Sequence, residues 1–118
     1  MGGIKLCSVF VAGTSFRDRQ ALRSVDWEKA VKLAWHVRCR REPANPHDKN
    51  AIGLVLDCAD GAEADIGFVP KAVNTVLAAL IDGGCVLAGQ VVMADRNNGE
   101  YRLLVALYLV AAPSSVTG

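Results

Sequence analysis

The chain has 118 residues, enough for one domain and too few for two well-packed ones. Hydrophobic residues make up 52% and charged residues 21%, which suits a packed core and excludes a disordered segment. The net charge is only +1, so no global field marks a polyanion partner and any such site must come from local clustering.

The four cysteines are Cys7, Cys39, Cys58 and Cys85. None has C-x-x-C spacing and no His-x3-His partner accompanies them, so zinc is not indicated. Three sit in apolar or alternating runs and read as structural thiols. Lys5 interrupts the first apolar run, which does not read as a signal peptide, and no apolar stretch reaches membrane-spanning length. With unpaired thiols, the expectation is a cytoplasmic protein without a membrane partner.

In chain order, Lys5 to Ala12 are apolar and β-branched enough for a buried strand, ended by Gly13-Thr14-Ser15, with Phe16 following. Further on, Trp27, Val31 and Ala34 recur at helical spacing behind Asp26, a good N-cap, and predict a short helix over about 27–33. Trp35, Val37 and Cys39 alternate with His36, Arg38 and Arg40, the period of a strand with one apolar and one basic face. The next stretch, Arg41-Glu42-Pro43-Ala44-Asn45-Pro46-His47-Asp48-Lys49-Asn50, allows neither helix nor central strand, because two prolines fix φ and remove donors. Asn45, Asp48 and Asn50 can bond nearby backbone and hold this loop compact.

Ala51 to Asp57 and Ala64 to Val69 read as a hairpin about the Asp60-Gly61 turn. Pro70 suits a first helical position. Val73, Val76, Leu77, Leu80 and Ile81 follow the amphipathic spacing and Gly83-Gly84 stops it, predicting a helix over about 70–82. Cys85 to Ala94 and Tyr101 to Val110 are two further strands about an Arg96-Asn97-Asn98-Gly99 turn. The domain is expected over 5–110, with 111–118 a flexible tail. Six strands and one strong helix are best satisfied by a sheet curled into a small barrel, with the helix plugging one end.

Catalysis has little support. No nucleophile elbow or Walker loop is present, and no catalytic residue, cofactor or metal ligand is assigned. Asp57, Asp60, Glu63 and Asp65 cluster round one hairpin and could hold a divalent ion for a small nuclease or hydrolase, but a solvated turn is the ordinary reading of such residues. Binding has more. Arg38, Arg40 and Arg41 run into the loop, Lys49 leaves it, and Lys71 lies on the first turn of a helix whose N-terminus favours an anion. Phe16 and Tyr101 flank turns, where aromatics can stack on bases; their ordinary roles would be a core residue and a cross-strand partner.

The run Arg41-Glu42-Pro43-x-Asn45-Pro46-His47-Asp48-x-Asn50-Ala51-Ile52 resembles the signature of the HIRAN domain family. Val11-Ala12-Gly13-Thr14-Ser15-Phe16, Ile66-Gly67-Phe68-Val69-Pro70-Lys71 and the helix end Leu80-Ile81-Asp82-Gly83-Gly84 resemble its other motifs, in order, so the likeness covers about residues 8–110. The family occurs in eukaryotic helicase-like ATPases and, alone or fused, in bacteria; this chain resembles a stand-alone bacterial member. The resemblance implies a mainly β fold with α: a six-stranded OB-like or SH3-like β-barrel with two helices. It implies a non-catalytic module that binds single-stranded DNA and recognises a free 3′-hydroxyl end in repair or replication-associated processing, beside a helicase-like ATPase or a nuclease.

Carried over by position, Asp48 accepts a hydrogen bond from the 3′-hydroxyl, a task suited to an ionised, acceptor-only group. Asn45 and Lys71 match DNA-contacting positions, Phe16 and His47 match stacking aromatics, and Tyr101 matches a further aromatic on the last hairpin. Arg41, Ser15 and Phe68 complete the expected DNA-binding set. The eukaryotic pattern has Arg-Tyr at Ser15-Phe16, tyrosine at His47 and a polar residue at Phe68. The alternative is a protein-interaction module that kept the barrel and lost the DNA site.

Overall fold

The computed structural model describes residues 3–13 and 22–113. Six strands form one antiparallel sheet: β1 (Ile4–Phe10), β2 (His36–Arg41), β3 (Ile52–Asp57), β4 (Glu63–Phe68), β5 (Val86–Asn97) and β6 (Glu100–Ala111). Their spatial order is β1-β6-β5-β2-β3-β4. Two helices accompany them, α1 (Trp27–Lys32) and α2 (Lys71–Asp82). No helix among the described residues is long and apolar enough to cross a membrane.

The sheet curls without closing as a ladder. β1 pairs with β6 as far as Phe10. Its continuation meets the far end of the sheet at one place, where Ala12 and Phe68 each donate an N–H to the other's carbonyl at 2.8 Å. The fully laddered barrel expected from the sequence is thus reduced to a single bridge. Gly67 explains why the approach occurs there. It has φ +141°, and a Cβ on it would lie 2.4 Å from the Ala12 carbonyl oxygen. Only a residue without a side chain lets the two ends of the sheet touch.

The core fills the inside of this curl. Val37, Ile52, Leu54, Leu56, Ile66, Leu103 and Leu107 are fully buried. Burying each such side chain stabilises the fold by about 1.5–3 kcal/mol against leaving it in water. β3 is buried from Ile52 to Leu56, which is why it reads as a continuous apolar run rather than an alternating one. Cys39 packs against the same core. Burial, with Cys7 adding in the same direction, pushes its thiol from 9.0 up to about 11. All four cysteines are free thiols.

α1 starts as expected: the Asp26 side chain accepts the Lys29 N–H at 3.1 Å. Its buried residue is Ala30. α2 begins one residue later than expected. Pro70 has ψ 146°, an extended value, and acts as the N-cap; its carbonyl accepts the Val73 and Asn74 N–H groups. The buried stripe of α2 is also shifted. Asn74, Leu77 and Ala78 face inward, and Val76 is 66% exposed. Gly84, at φ +101°, supplies the left-handed turn after the helix.

The β5–β6 hairpin is longer than expected. Arg96 and Asn97 stay in the strand, and the loop is only Asn98-Gly99, both at positive φ. A two-residue turn of this type matches the strand twist, so pairing persists up to it.

Candidate functional site

The proline loop is held by its own polar side chains. The Asn45 side-chain oxygen accepts the N–H of His47 at 2.9 Å and of Asp48 at 3.2 Å. Its amide donates to Glu42. Asn50 donates its backbone N–H to Asp48 Oδ1 at 2.9 Å and its side-chain amide to Thr75 on α2. The loop is therefore fixed both to itself and to the helix.

Across from it lies the start of α2. Asn74, 3% exposed, donates its side-chain amide to Asp48 Oδ2 at 2.7 Å. The Asp48 carboxylate is thus gripped on both oxygens, each keeping a further acceptor site. The Asn50 amide is the main cause that lowers the Asp48 pKa below its ordinary value. The Asn74 hydrogen bond and the charges of Lys71 and Arg41 act in the same direction, against a desolvation that raises it.

Between loop, helix start and sheet bridge lies an open cleft of about 610 Å³. Asn45, His47 and Asp48 form one wall, Lys71 and Asn74 another, and Ala12, Gly13 and Phe68 a third. His47 and Lys71 are exposed, while Phe68 is half-buried with its ring against Gly13. The cleft combines an apolar floor, an anchored carboxylate and an exposed cation. That combination suits a ligand with a planar apolar part, a hydroxyl and an anionic group.

Of the residues expected to bind, Asn45, His47, Asp48, Phe68 and Lys71 meet here. Ser15 and Phe16 lie outside the described residues. Arg41 is engaged within the protein: Nε and one terminal nitrogen bond both oxygens of Asp82 at 3.0 and 3.2 Å, and the other donates to the Ala51 carbonyl. It ties the loop to the end of α2. Tyr101 is not part of the cleft wall; it packs 6.1 Å from the Trp27 ring with Arg96 over its face.

The basic face of β2 is neutralised by the acidic hairpin. Arg38 and His36 meet Asp57 at 3.0 Å, and Arg38 also meets Glu63. Arg40 pairs with Glu42 and Asp65. The two features that the sequence offers as rival sites, a basic strand and an acidic hairpin, are one cross-strand ladder. Among the described residues no group of three or more His, Cys, Asp or Glu side chains is placed to hold a metal ion.

Sequence reasoning missed Asn74. The signal was present: Pro70, Asn74, Leu77 and Ile81 fall on one helical stripe, so a polar side chain there had to be buried and needed a partner.

The molecule is thus a small curled sheet with a stiff polar loop facing a helix start across a cleft. The model of the HIRAN domain matches residues 4–111, and the chain belongs to that family. Among solved structures, a protein from Lactobacillus plantarum superimposes with a TM-score of 0.66 at 24% identity, covering 91% of this chain and 97% of that one. The HIRAN domain of human HLTF does so with a TM-score of 0.60 at 24% identity, covering 91% and 78%. These likenesses establish a shared fold. No curated protein gives a significant match.

Proposed function

We propose that the domain is a non-catalytic module that binds single-stranded DNA and holds a 3′-hydroxyl terminus in the cleft. The observation that carries this reading is the Asp48 carboxylate, anchored by the Asn50 N–H and the Asn74 amide beside Lys71. A free hydroxyl can donate to it. A terminal phosphate at the same place would meet a fixed negative charge. In this reading Lys71 neutralises the phosphate preceding the terminal nucleotide and His47 stacks on a base, with Phe68 lining the same cleft. Membership of the HIRAN family supports the DNA partner. The setting we propose is cytoplasmic DNA repair or replication-associated processing, alongside a helicase-like ATPase or a nuclease.

Titration with labelled single strands ending in 3′-hydroxyl or 3′-phosphate tests the reading. Tighter binding of the hydroxyl end, lost in Asp48→Ala, is expected. Equal affinity for the two ends in the wild type would sink end capture, and absence of salt-sensitive binding would sink the DNA reading.

A protein-interaction module is the second reading. One observation favours it: Arg38, Arg40 and Arg41 are spent on internal carboxylates, which leaves less free positive charge than the sequence suggests.

A further inference from the structure

The outward face of β1 runs on from the cleft wall. Side chains alternate along an extended strand. Here Val9 and Val11 are buried, while Phe10 and Ala12 face out. Ala12 lines the cleft. Phe10 lies two residues earlier on the same face, about 7 Å away at the rise of a β-strand. It is 47% exposed. On the neighbouring strand it stands opposite Leu104, and Arg102, two residues before Leu104, lays its guanidinium 4.9 Å from the centre of the Phe10 ring.

Two features mark this pair. Arg102 is exposed and forms no ion pair among the described residues, unlike Arg38, Arg40 and Arg41. A guanidinium lying over a ring also keeps its N–H edge free, so it can meet a phosphate while its plane extends the stacking surface. An exposed ring, a planar cation in no ion pair among the described residues and a position next to the cleft match one repeating unit of a single strand, a base with its phosphate.

We infer that Phe10 and Arg102 form a second nucleotide subsite, which takes a base and phosphate on the 5′ side of the captured end. This rests on the DNA reading above. The ring and guanidinium supply sequence-tolerant stacking, and the guanidinium edge supplies one phosphate contact.

The test is anisotropy of 5′-fluorescein-labelled deoxythymidine decamers with the whole chain, using both 3′ end groups and decamers with one abasic residue at the second, third or fourth position from the 3′ end. Phe10→Ala should weaken the intact decamers roughly five- to hundredfold, by the same factor for both ends. One abasic position should cost the wild type a similar factor and cost Phe10→Ala nothing further. Phe10→Tyr should bind like wild type, and Arg102→Gln should lower the salt slope by about one. Phe10→Ala and Arg102→Gln both within twofold of wild type would overturn the subsite. So would additive losses from the abasic residue and Phe10→Ala, or a Phe10→Ala effect on self-association alone. No end preference in the wild type with the abasic coupling intact would overturn end capture and retain the subsite. No DNA binding at all would overturn both.

Discussion

Asn74 donates to Asp48 at 2.7 Å from a position 3% exposed on α2, so the carboxylate at the cleft wall is aimed by a side chain that is itself almost wholly buried. Asn74→Ala removes that donor and leaves the Asn50 N–H alone to hold the group. The expected result is a fall of about ten- to hundredfold in the preference for 3′-hydroxyl over 3′-phosphate ends, the scale of one charge-assisted hydrogen bond. Affinity for an internal stretch of single strand should change less. End-group titrations of the variant check this, and an unchanged preference would show that Asn74 only packs.

The same hydrogen bonds set a pH dependence. The Asp48 pKa is lowered from an ordinary 3.8, so the folded protein keeps the ionised form to lower pH than the unfolded chain does. The contribution to stability is therefore complete above the unfolded value and is lost as pH falls through the folded one. Affinity for the 3′-hydroxyl end, which carries no terminal phosphate to titrate at about pH 6, should be flat from about pH 8 to about pH 5 and fall only in the acid range, as expected for an ionised aspartate. The measurement is best made in a His47→Gln background, which removes the imidazole from the same cleft. A loss of 3′-hydroxyl-end binding centred near neutrality in that background would contradict the assigned role of Asp48.

Much of this architecture was legible in the sequence because local rules and burial agreed. The alternation over residues 35–40, the Asp26 cap and the Asn98-Gly99 turn each gave an element of the right type. What stayed hidden depends on pairing between distant segments. Arg38 and Arg40 read as a free basic face because nothing in the chain says that Asp57, Glu63 and Asp65 lie alongside. Arg41 read as a ligand contact because its partner, Asp82, is far along the chain. Tyr101 is drawn to Trp27, a pairing that periodicity cannot reveal. That Asn45, His47 and Asp48 form one compact wall was visible because the loop is contiguous and held by its own side chains.

Gly67 is the residue on which closure of the curl depends. A Cβ there would meet the Ala12 carbonyl oxygen at 2.4 Å and the Val11 side chain at 2.6 Å, at a φ of +141° that L side chains avoid. Gly67→Ala must either strain the backbone or break the Ala12–Phe68 bridge. The expected cost is about 3 kcal/mol. At roughly 4–8 °C per kcal/mol for a domain of this size, the melting temperature should fall by more than 10 °C. Thermal unfolding followed by circular dichroism measures this. Since Ala12 and Phe68 both line the cleft, ligand affinity of the variant should also drop at temperatures where it is still folded.

Lys71 and Arg40 separate a cation that lines the cleft from one held in ion pairs. Lys71 is exposed at the cleft, whereas Arg40 is engaged by Glu42 and Asp65 on the outside of the sheet. Charge alone would rank them equally. Lys71→Ala should weaken single-strand binding about five- to tenfold at low salt and reduce the dependence of log affinity on log salt by about one, the signature of one lost phosphate contact. Arg40→Ala should leave both quantities nearly unchanged. Its effect on stability should also be small, because the ion pairs it loses are half exposed and screened. Salt titrations of the two variants side by side decide the matter. A larger loss from Arg40→Ala than from Lys71→Ala would move the DNA path off the cleft and onto the outer face of β2.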